Sequence, residues 1–357
     1  MLSVEHFYMQ QALMLAKRGY LTVSPNPMVG CIIVKNGQII GEGWHQYAGG
    51  DHAEIMALKQ AGEKAVDATV YVTLEPCCHQ GRTGACTDAL IKAGVKKVVI
   101  ATKDPNPCVS GLGIQILKAH QIEVVVGIER EKACTLNKIF FYFYQHKKPY
   151  VVAKWGMSVD GQLTVAKSDT KQITNALSQQ SVHNLRNRLD AVIVGAKTVL
   201  DDNPLLTVRH TDADIINQPL RVVVSASGAL PLDAHVFNTT VAKTILFCGE
   251  QTDENVLHRL SQKGVECIKL ALNQSGRLSI QTMLVILAEK GITSILVEGG
   301  QKLHEAFFRE GLVNEVHGFI APVLINGFHQ KRPLNRLDRY WVDNDVLFRG
   351  ELEESYV

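Results

Sequence analysis

The sequence predicts an α/β protein made of two consecutive layered domains, residues 1–146 and 150–357. Three observations carry this. Runs rich in Val and Ile without polar alternation, the pattern of strands covered on both faces, recur along the chain. Segments with helical features separate them, and alternating strands and helices build layered sheets. A polar stretch ending in proline, Gln145-His146-Lys147-Lys148-Pro149, has the composition of a short linker. The 357 residues, 46% of them hydrophobic, suffice for two cores of ordinary size.

A helix near 3–19 opens the first domain, with Phe7, Ala12, Leu13, Leu15 and Ala16 apolar and Glu5, His6, Lys17 and Arg18 interspersed. Those charges distinguish it from the unbroken apolar run of a secretion signal. Strands follow near 29–35 and 38–43, then a helix from about 52 to 62 and a strand over Ala68–Thr73. A helix near 86–93, a strand Lys96–Thr102, a helix near 113–120 and a strand Ile122–Val126 complete the alternation. The aromatic run Phe140–Tyr144 is expected to pack domain against domain. Beyond the linker, strands are expected near 150–158, 191–196, 220–225, 243–248, 265–270, 293–298 and 314–321, with helices at 176–189, 279–290 and 301–310. No internal repeat or low-complexity segment is visible.

A formal charge of +2 with scattered basic residues argues against a nucleic-acid partner, while a small phosphorylated molecule needs only a few local cations. No apolar segment approaches the roughly 18 residues needed to cross a bilayer, so no membrane partner and a cytoplasmic location are expected. A homo-oligomer is left open.

Eight cysteines are too sparse here for a disulfide framework, and three of them (Cys77, Cys78, Cys86) cluster. With His52, Cys77 and Cys86 offer the one imidazole and two thiolates that suit a single zinc ion. Three protein ligands leave a fourth position for water, whose pKa zinc lowers to ~7, giving hydroxide near neutrality. Glu54 is the candidate proton shuttle. On a regular helix, residues two apart diverge by roughly 200°, so His52 and Glu54 converge only at a helix start, which Gly49-Gly50-Asp51 permits. Cys77 is likewise expected to open a helix, whose N-terminus favours a thiolate. The His-x-Glu…Pro-Cys pattern is the known signature of zinc nucleobase deaminases, although eight residues separate Cys77 from Cys86 in place of the usual two. The alternative is a structural zinc site, with Cys78 or His79 as fourth ligand. Glu54 and the Gly-Arg-Thr insert favour the catalytic reading. Cys31, Cys108, Cys134, Cys248 and Cys267 read as small core or surface residues.

Longer motifs carry a resemblance. Pro25–Gly30, Gly43-Trp44-His45, His52-Ala53-Glu54, Thr73–Thr83, Asp104–Pro107, Gly111–Gly113, Asn137 and Phe140-Phe141 are similar to the bifunctional deaminase/reductases of riboflavin biosynthesis. The likeness resumes at Lys154–Gly161, Ile173-Thr174, Leu185-Arg186, Gly195–Arg209 and Val297–Gly300, and reaches about Leu324. It implies a cytidine-deaminase-like α/β/α first domain and a dihydrofolate-reductase-like second domain. The implied reactions are deamination of a 2,5-diamino-6-(5-phosphoribosylamino)pyrimidinone, a small phosphorylated pyrimidine, and then NADPH reduction of the product's ribose to a ribityl chain. Carried over position by position, Asn26, His45, His79 and Arg82 would hold the deaminase substrate. Thr170, Arg186, Leu206, Arg209 and Glu298 would hold the reductase substrate. Gly156, Gln172, Thr198, Asp202, Gly300, Gln301, Lys302 and Leu303 would hold NADPH, and Lys154 and Asp202 would position or protonate the reacting sugar.

Consistent with this, no Rossmann-type glycine fingerprint is present, whereas Glu298-Gly299-Gly300 follows a strand and opens a helix suited to a cofactor phosphate. Departures from the family pattern are Gly84-Ala85 in place of prolines, Cys78 in place of serine, Ser225-Ala226 in place of an Asp followed by Ser or Thr, Val323 in place of lysine, and residues 326–357. The rival readings are a deaminase of another nucleobase-like substrate with a non-catalytic second domain, and a zinc-stabilised binding protein.

Overall fold

The computed structural model describes residues 3–78, 84–158, 161, 163, 173–321, 335–343 and 345–351. The chain divides into two compact units, Met1–Lys147 and Lys148–Val357.

In the first unit the elements run α1 (Val4–Ala16), β1 (Gly30–Lys35), β2 (Gln38–Trp44), α2 (Ala53–Ala61), β3 (Thr69–Val72), α3 (Cys86–Lys92), β4 (Lys97–Ile100), α4 (Leu112–Ala119), β5 (Glu123–Val126), α5 (Arg130–Leu136) and α6 (Lys138–His146). The sheet order is β2-β1-β3-β4-β5, with β1 antiparallel to β2 and β3, and β3, β4 and β5 parallel. Alternate strand residues feed two cores, because successive side chains point to opposite faces. Ile33, Val70, Val72, Val98 and Ile100 pack with Ala53 and Ala57 of α2, Leu90 of α3 and Leu117 of α4. Ile32, Tyr71 and Val99 pack with Tyr8, Met9, Ala12 and Leu13 of α1 and Ala133 of α5. The result is the cytidine-deaminase-like α/β/α sandwich. Helices α5 and α6 are not among the elements expected from sequence, and Phe7 is exposed instead of facing the core, because the buried face of α1 is centred on Tyr8, Met9, Ala12 and Leu13.

Glycines set the helix-to-sheet distance. A Cβ on Gly30 would lie 2.0 Å from the Ala12 carbonyl oxygen, and one on Gly43 would lie 2.2 Å from that of Ala53. Only a bare backbone admits α1 and α2 this closely.

The second unit contains β6 (Tyr150–Ser158), α7 (Ala176–Arg188), β7 (Ala191–Gly195), α8 (Ala196–Asp202), β8 (Leu220–Ser225), β9 (Thr244–Gly249), α9 (Glu254–Gln262), β10 (Glu266–Leu270), α10 (Ile280–Glu289), β11 (Ser294–Val297), α11 (Gln301–Arg309), β12 (Glu315–Ala321), β13 (Asn335–Val342) and β14 (Asp345–Glu351). Side chains of Asn175, Asp253 and Ser279 cap α7, α9 and α10 by accepting backbone N–H bonds, which fixes where these helices begin. Among the described residues the sheet order is β10-β9-β8-β7-β11-β6-β12-β14-β13, parallel from β10 to β12 and antiparallel from there on. This is the dihydrofolate-reductase-like sheet. Val151, Ala153, Ile193, Val222, Ile245, Phe247, Ile295 and Val297 form its core with Met283, Leu284 and Leu287 of α10 and Phe307 of α11.

Candidate active sites

In the first unit, His52 is the extended N-cap of α2, so Glu54 sits in the first turn and both turn inward. Cys86 is the first residue of α3, while Cys77 lies in the loop after β3. The expectation that Cys77 opens a helix is therefore corrected: Cys86 does. Cys77 still faces that helix terminus, since the Cys86 N–H donates to its Sγ at 3.4 Å. The ligand atoms of His52, Cys77 and Cys86 all lie within 4.8 Å of one another. His52 Nδ1 stands 3.2 Å from Cys86 Sγ and 3.4 Å from Cys77 Sγ. A tetrahedral zinc ion with ordinary Zn–N and Zn–S distances needs about 3.5 Å between such atoms, so the trio fits the ion. A hydrogen bond from Cys86 pulls the Cys77 thiol below its ordinary range, and the same contact pushes Cys86 up.

Glu54 is buried, and burial followed by the nearby Cys77 raises its carboxyl to about 7, against the opposing pull of His52. Next to this cluster, Asn26 Nδ2 donates to His45 Nε2 at 3.1 Å, and His45 Nδ1 donates to the Asp51 carbonyl at 3.0 Å. That pattern makes His45 neutral, and burial holds it below the usual histidine range. Its ring meets His52 edge-on, with centroids 5.5 Å apart. His79 and Arg82 lie outside the described residues.

Glu75 organises the loop behind the ligands. Its buried carboxylate accepts from the N–H groups of Asp104 (3.3 Å), Gly111 (3.0 Å) and Ile114 (3.2 Å), at the start of α4. A Cβ on Gly113 would come within 2.2 Å of the Pro76 carbonyl oxygen. The Asp104–Gly113 motif thus cradles the loop that carries Cys77.

In the second unit, Lys154 on β6, Arg186 on α7 and Glu298 after β11 converge. Arg186 Nε and Nη2 donate to the two Glu298 oxygens at 2.5 and 2.8 Å, and its Nη1 donates to the Thr207 carbonyl at 3.1 Å. Lys154 Nζ stands 3.9 Å from Glu298 Oε2. Burial alone would raise Glu298; Arg186, Lys154 and His183 outweigh it and hold the carboxyl below its ordinary range. Burial lowers Lys154, with Arg186 adding to the effect and Glu298 opposing it. Arg209 Nη1 donates to Thr207 Oγ1 at 2.8 Å, which brings the second arginine to the same place. Leu206, buried beside Thr207, has a left-handed backbone (φ 54°), an uncommon conformation for leucine.

The Gly300 N–H donates to Thr198 Oγ1 at 3.0 Å, joining α8 to the start of α11, where Gln301, Lys302 and Leu303 form the first turn. Asp202 closes α8 one turn beyond Thr198. Gly156 packs on Thr174, whose Cγ2 a Cβ there would meet at 2.9 Å. Thr170 and Gln172 lie outside the described residues.

Comparison with known proteins is decisive. Residues 2–102 match the cytidine and deoxycytidylate deaminase zinc-binding region, and residues 149–338 match the RibD C-terminal domain. The riboflavin biosynthesis protein RibD of Actinobacillus pleuropneumoniae is 40% identical over 96% of this chain and 90% of its own length. The chain belongs to the RibD family. It is accordingly an enzyme of riboflavin biosynthesis that joins a deaminase to a reductase. The RibD of Escherichia coli is 39% identical over 90% of this chain and 88% of its own. Solved RibD structures agree: that of Acinetobacter baumannii superposes with a TM-score of 0.86 at 39% identity, covering 97% of this chain and 98% of its own. A Thermotoga maritima protein, titled a diaminohydroxyphosphoribosylaminopyrimidine deaminase/5-amino-6-(5-phosphoribosylamino)uracil reductase, gives 0.82 at 35% identity, with the same coverage.

Several residues of this RibD-family chain that shape the sites were missed from sequence. Glu75 and Asn137 stood within quoted motifs but had no role. His183 lies three residues before Arg186 on α7, a helical spacing that could have flagged it. Its Nδ1 accepts the Arg209 N–H at 3.2 Å, and burial, with Arg186, Arg209 and His210, lowers it to about 4.

Proposed function

We propose that the first unit removes the 2-amino group of a 2,5-diamino-6-(5-phosphoribosylamino)pyrimidinone at a zinc site made by His52, Cys77 and Cys86. In this reading the second unit reduces the ribose of the deaminated product with NADPH. The observation that carries it is the convergence of three ligand atoms beside a buried Glu54.

When bound, zinc supplies a Lewis acid that lowers the pKa of coordinated water to ~7. Glu54 would move two protons in turn: the first from water to the ring nitrogen as the water oxygen bonds the ring carbon, the second from the hydroxyl so formed to the amine, which leaves as ammonia while that oxygen becomes the carbonyl. A proton affinity near neutrality suits that exchange. Asn26, oriented through Nδ2 by His45, turns its carbonyl oxygen to an amine of the base. His79 and Arg82 are the proposed partners of the base and the ribose phosphate.

NADPH, when bound, supplies a hydride. The first turn of α11 supports this reading: beside Thr198, the backbone N–H groups of Gln301 and Lys302 precede the first intrahelical bonds and suit a cofactor phosphate, with Leu303 completing the turn. Gly156, Gln172 and Asp202 complete the proposed cofactor contacts, and Thr170 and Leu206 the substrate contacts. Lys154 and Asp202 position and protonate the sugar, and lowered proton affinity makes Lys154 a readier donor. Arg209 holds the substrate phosphate. Arg186, whose three nitrogens are engaged by Glu298 and Thr207, acts by fixing Glu298. A cytoplasmic location belongs to the same reading and is supported by eight unbridged cysteines.

The test is Glu54→Gln. We expect zinc to be retained while ammonia release falls by ~10²–10⁴-fold. Undiminished release would remove Glu54 from the reaction.

A further inference from the structure

We propose that Asn137 is a positioning residue for deamination: its amide clamps Met28 and so sets where Asn26 meets the pyrimidine. The inference rests on the reading that Asn26 touches substrate.

Asn137 stands between α5 and α6, with φ −106° and ψ 26°, and is 3% exposed. Asparagine is a favoured helix N-cap, yet this side chain makes no cap bond to α6. It turns away. Asn137 Oδ1 accepts the Met28 N–H at 2.8 Å, and Nδ2 donates to the Met28 carbonyl at 2.8 Å. These two reciprocal bonds reproduce an antiparallel strand pair across 109 residues of chain. Among side chains, only Asn and Gln present a donor and an acceptor in one planar amide, as a peptide group does.

The clamped segment needs such an anchor. Pro25 and Pro27 have no N–H to give, so Asn26 and Met28 alone can donate from Pro25 through Met28. The Asn26 N–H closes a turn onto the Val23 carbonyl at 2.7 Å, leaving Met28 to tie the segment to the body of the unit. One residue further on, the Val29 carbonyl accepts the His45 N–H at 2.9 Å. Met28 is therefore fixed between the two partners whose side chains bond each other, Asn26 and His45, and His45 abuts the ligand His52. Losing the clamp frees Asn26 without removing a ligand or Glu54.

The experiment is a double-mutant cycle on the full-length zinc-loaded protein, with Asn137→Ala, Asn26→Ala and the pair. Ammonia release gives deaminase KM and kcat, metal analysis gives zinc per chain, and the second unit's reductase kcat/KM serves as an internal control of folding. We expect each single change to raise deaminase KM by about 10- to 100-fold with a smaller effect on kcat. Zinc content and reduction stay unchanged, and the pair is no worse than Asn26→Ala alone. Should Asn137→Ala fail to give zinc-loaded protein, the near-isosteric Asn137→Asp, which keeps an acceptor for the Met28 N–H but not the donor, enters the same cycle with the same expectation. An unchanged KM in the Asn137 variant, or effects that multiply in the pair, overturns the clamp. A silent Asn26→Ala overturns the substrate role of Asn26, and the clamp with it.

Discussion

The bidentate pair of Arg186 with Glu298 places opposite demands on the arginines of the second unit. Arg186 neutralises a carboxylate whose side chain is 6% exposed, whereas Arg209 keeps donors that Thr207 does not use. Removing Arg186 strands a buried charge, which costs about 3–5 kcal/mol. Arg186→Ala should therefore destabilise the second unit and suppress reduction while ammonia release continues. Arg209→Ala should chiefly raise the reductase KM. Denaturation and the two activity assays check both, and an Arg186→Ala protein of unchanged stability would contradict the pairing. His183 carries a pH signature. It sits at about 4 when folded against an ordinary 6.5, so between those values the unfolded chain takes up a proton that the native site refuses. Stability is lost as pH falls through that window, by roughly 1–2 kcal/mol after discounting for screening. His183→Gln should flatten this part of the wild-type profile; identical slopes would show that His183 does not titrate there. At this scale the ligand trio and Glu54 were legible, because their chemistry follows from residue type and spacing. The work of Arg186, Glu75 and Asn137 was not, because it depends on partners remote in sequence.

Among the elements, β2 and α2 set the metal site by direct contact. A Cβ at Gly43 would meet the Ala53 carbonyl oxygen at 2.2 Å and the Ala57 nitrogen at 2.6 Å, both backbone atoms that cannot swing aside. Gly43→Ala should push α2 outward, lower stability by about 1–3 kcal/mol and reduce zinc per chain, because His52 and Glu54 ride on the first turn of that helix. Metal analysis with a denaturation curve decides it; full zinc occupancy at wild-type stability would mean that α2 does not bear on β2 in this way. The Val- and Ile-rich strands were legible because burial on both faces leaves a continuous apolar run. The elements missed lack that signal. In α9 only Leu257 and Leu260 are buried, α8 spans seven residues, and in α6 only Phe140 is buried. Strands β13 and β14 interrupt their apolar residues with charged ones, and they fall where the family pattern fades.

At the scale of the whole molecule, two chemistries occupy two units whose candidate sites share no residue. His52, Cys77, Cys86 and Glu54 belong to Met1–Lys147, and Lys154, Arg186, Arg209 and Glu298 to Lys148–Val357. Dependence on metal should therefore divide along the same line. The most direct measurement is stepwise return of zinc to chelated full-length protein, following ammonia release from the diaminopyrimidine phosphoribosyl compound and NADPH oxidation with the deaminated product. Ammonia release should vanish on chelation and recover in proportion to zinc up to one ion per chain, with NADPH oxidation constant throughout. Deamination that persists in the metal-free protein, or a reductase rate that falls and recovers in step with it, would contradict the account.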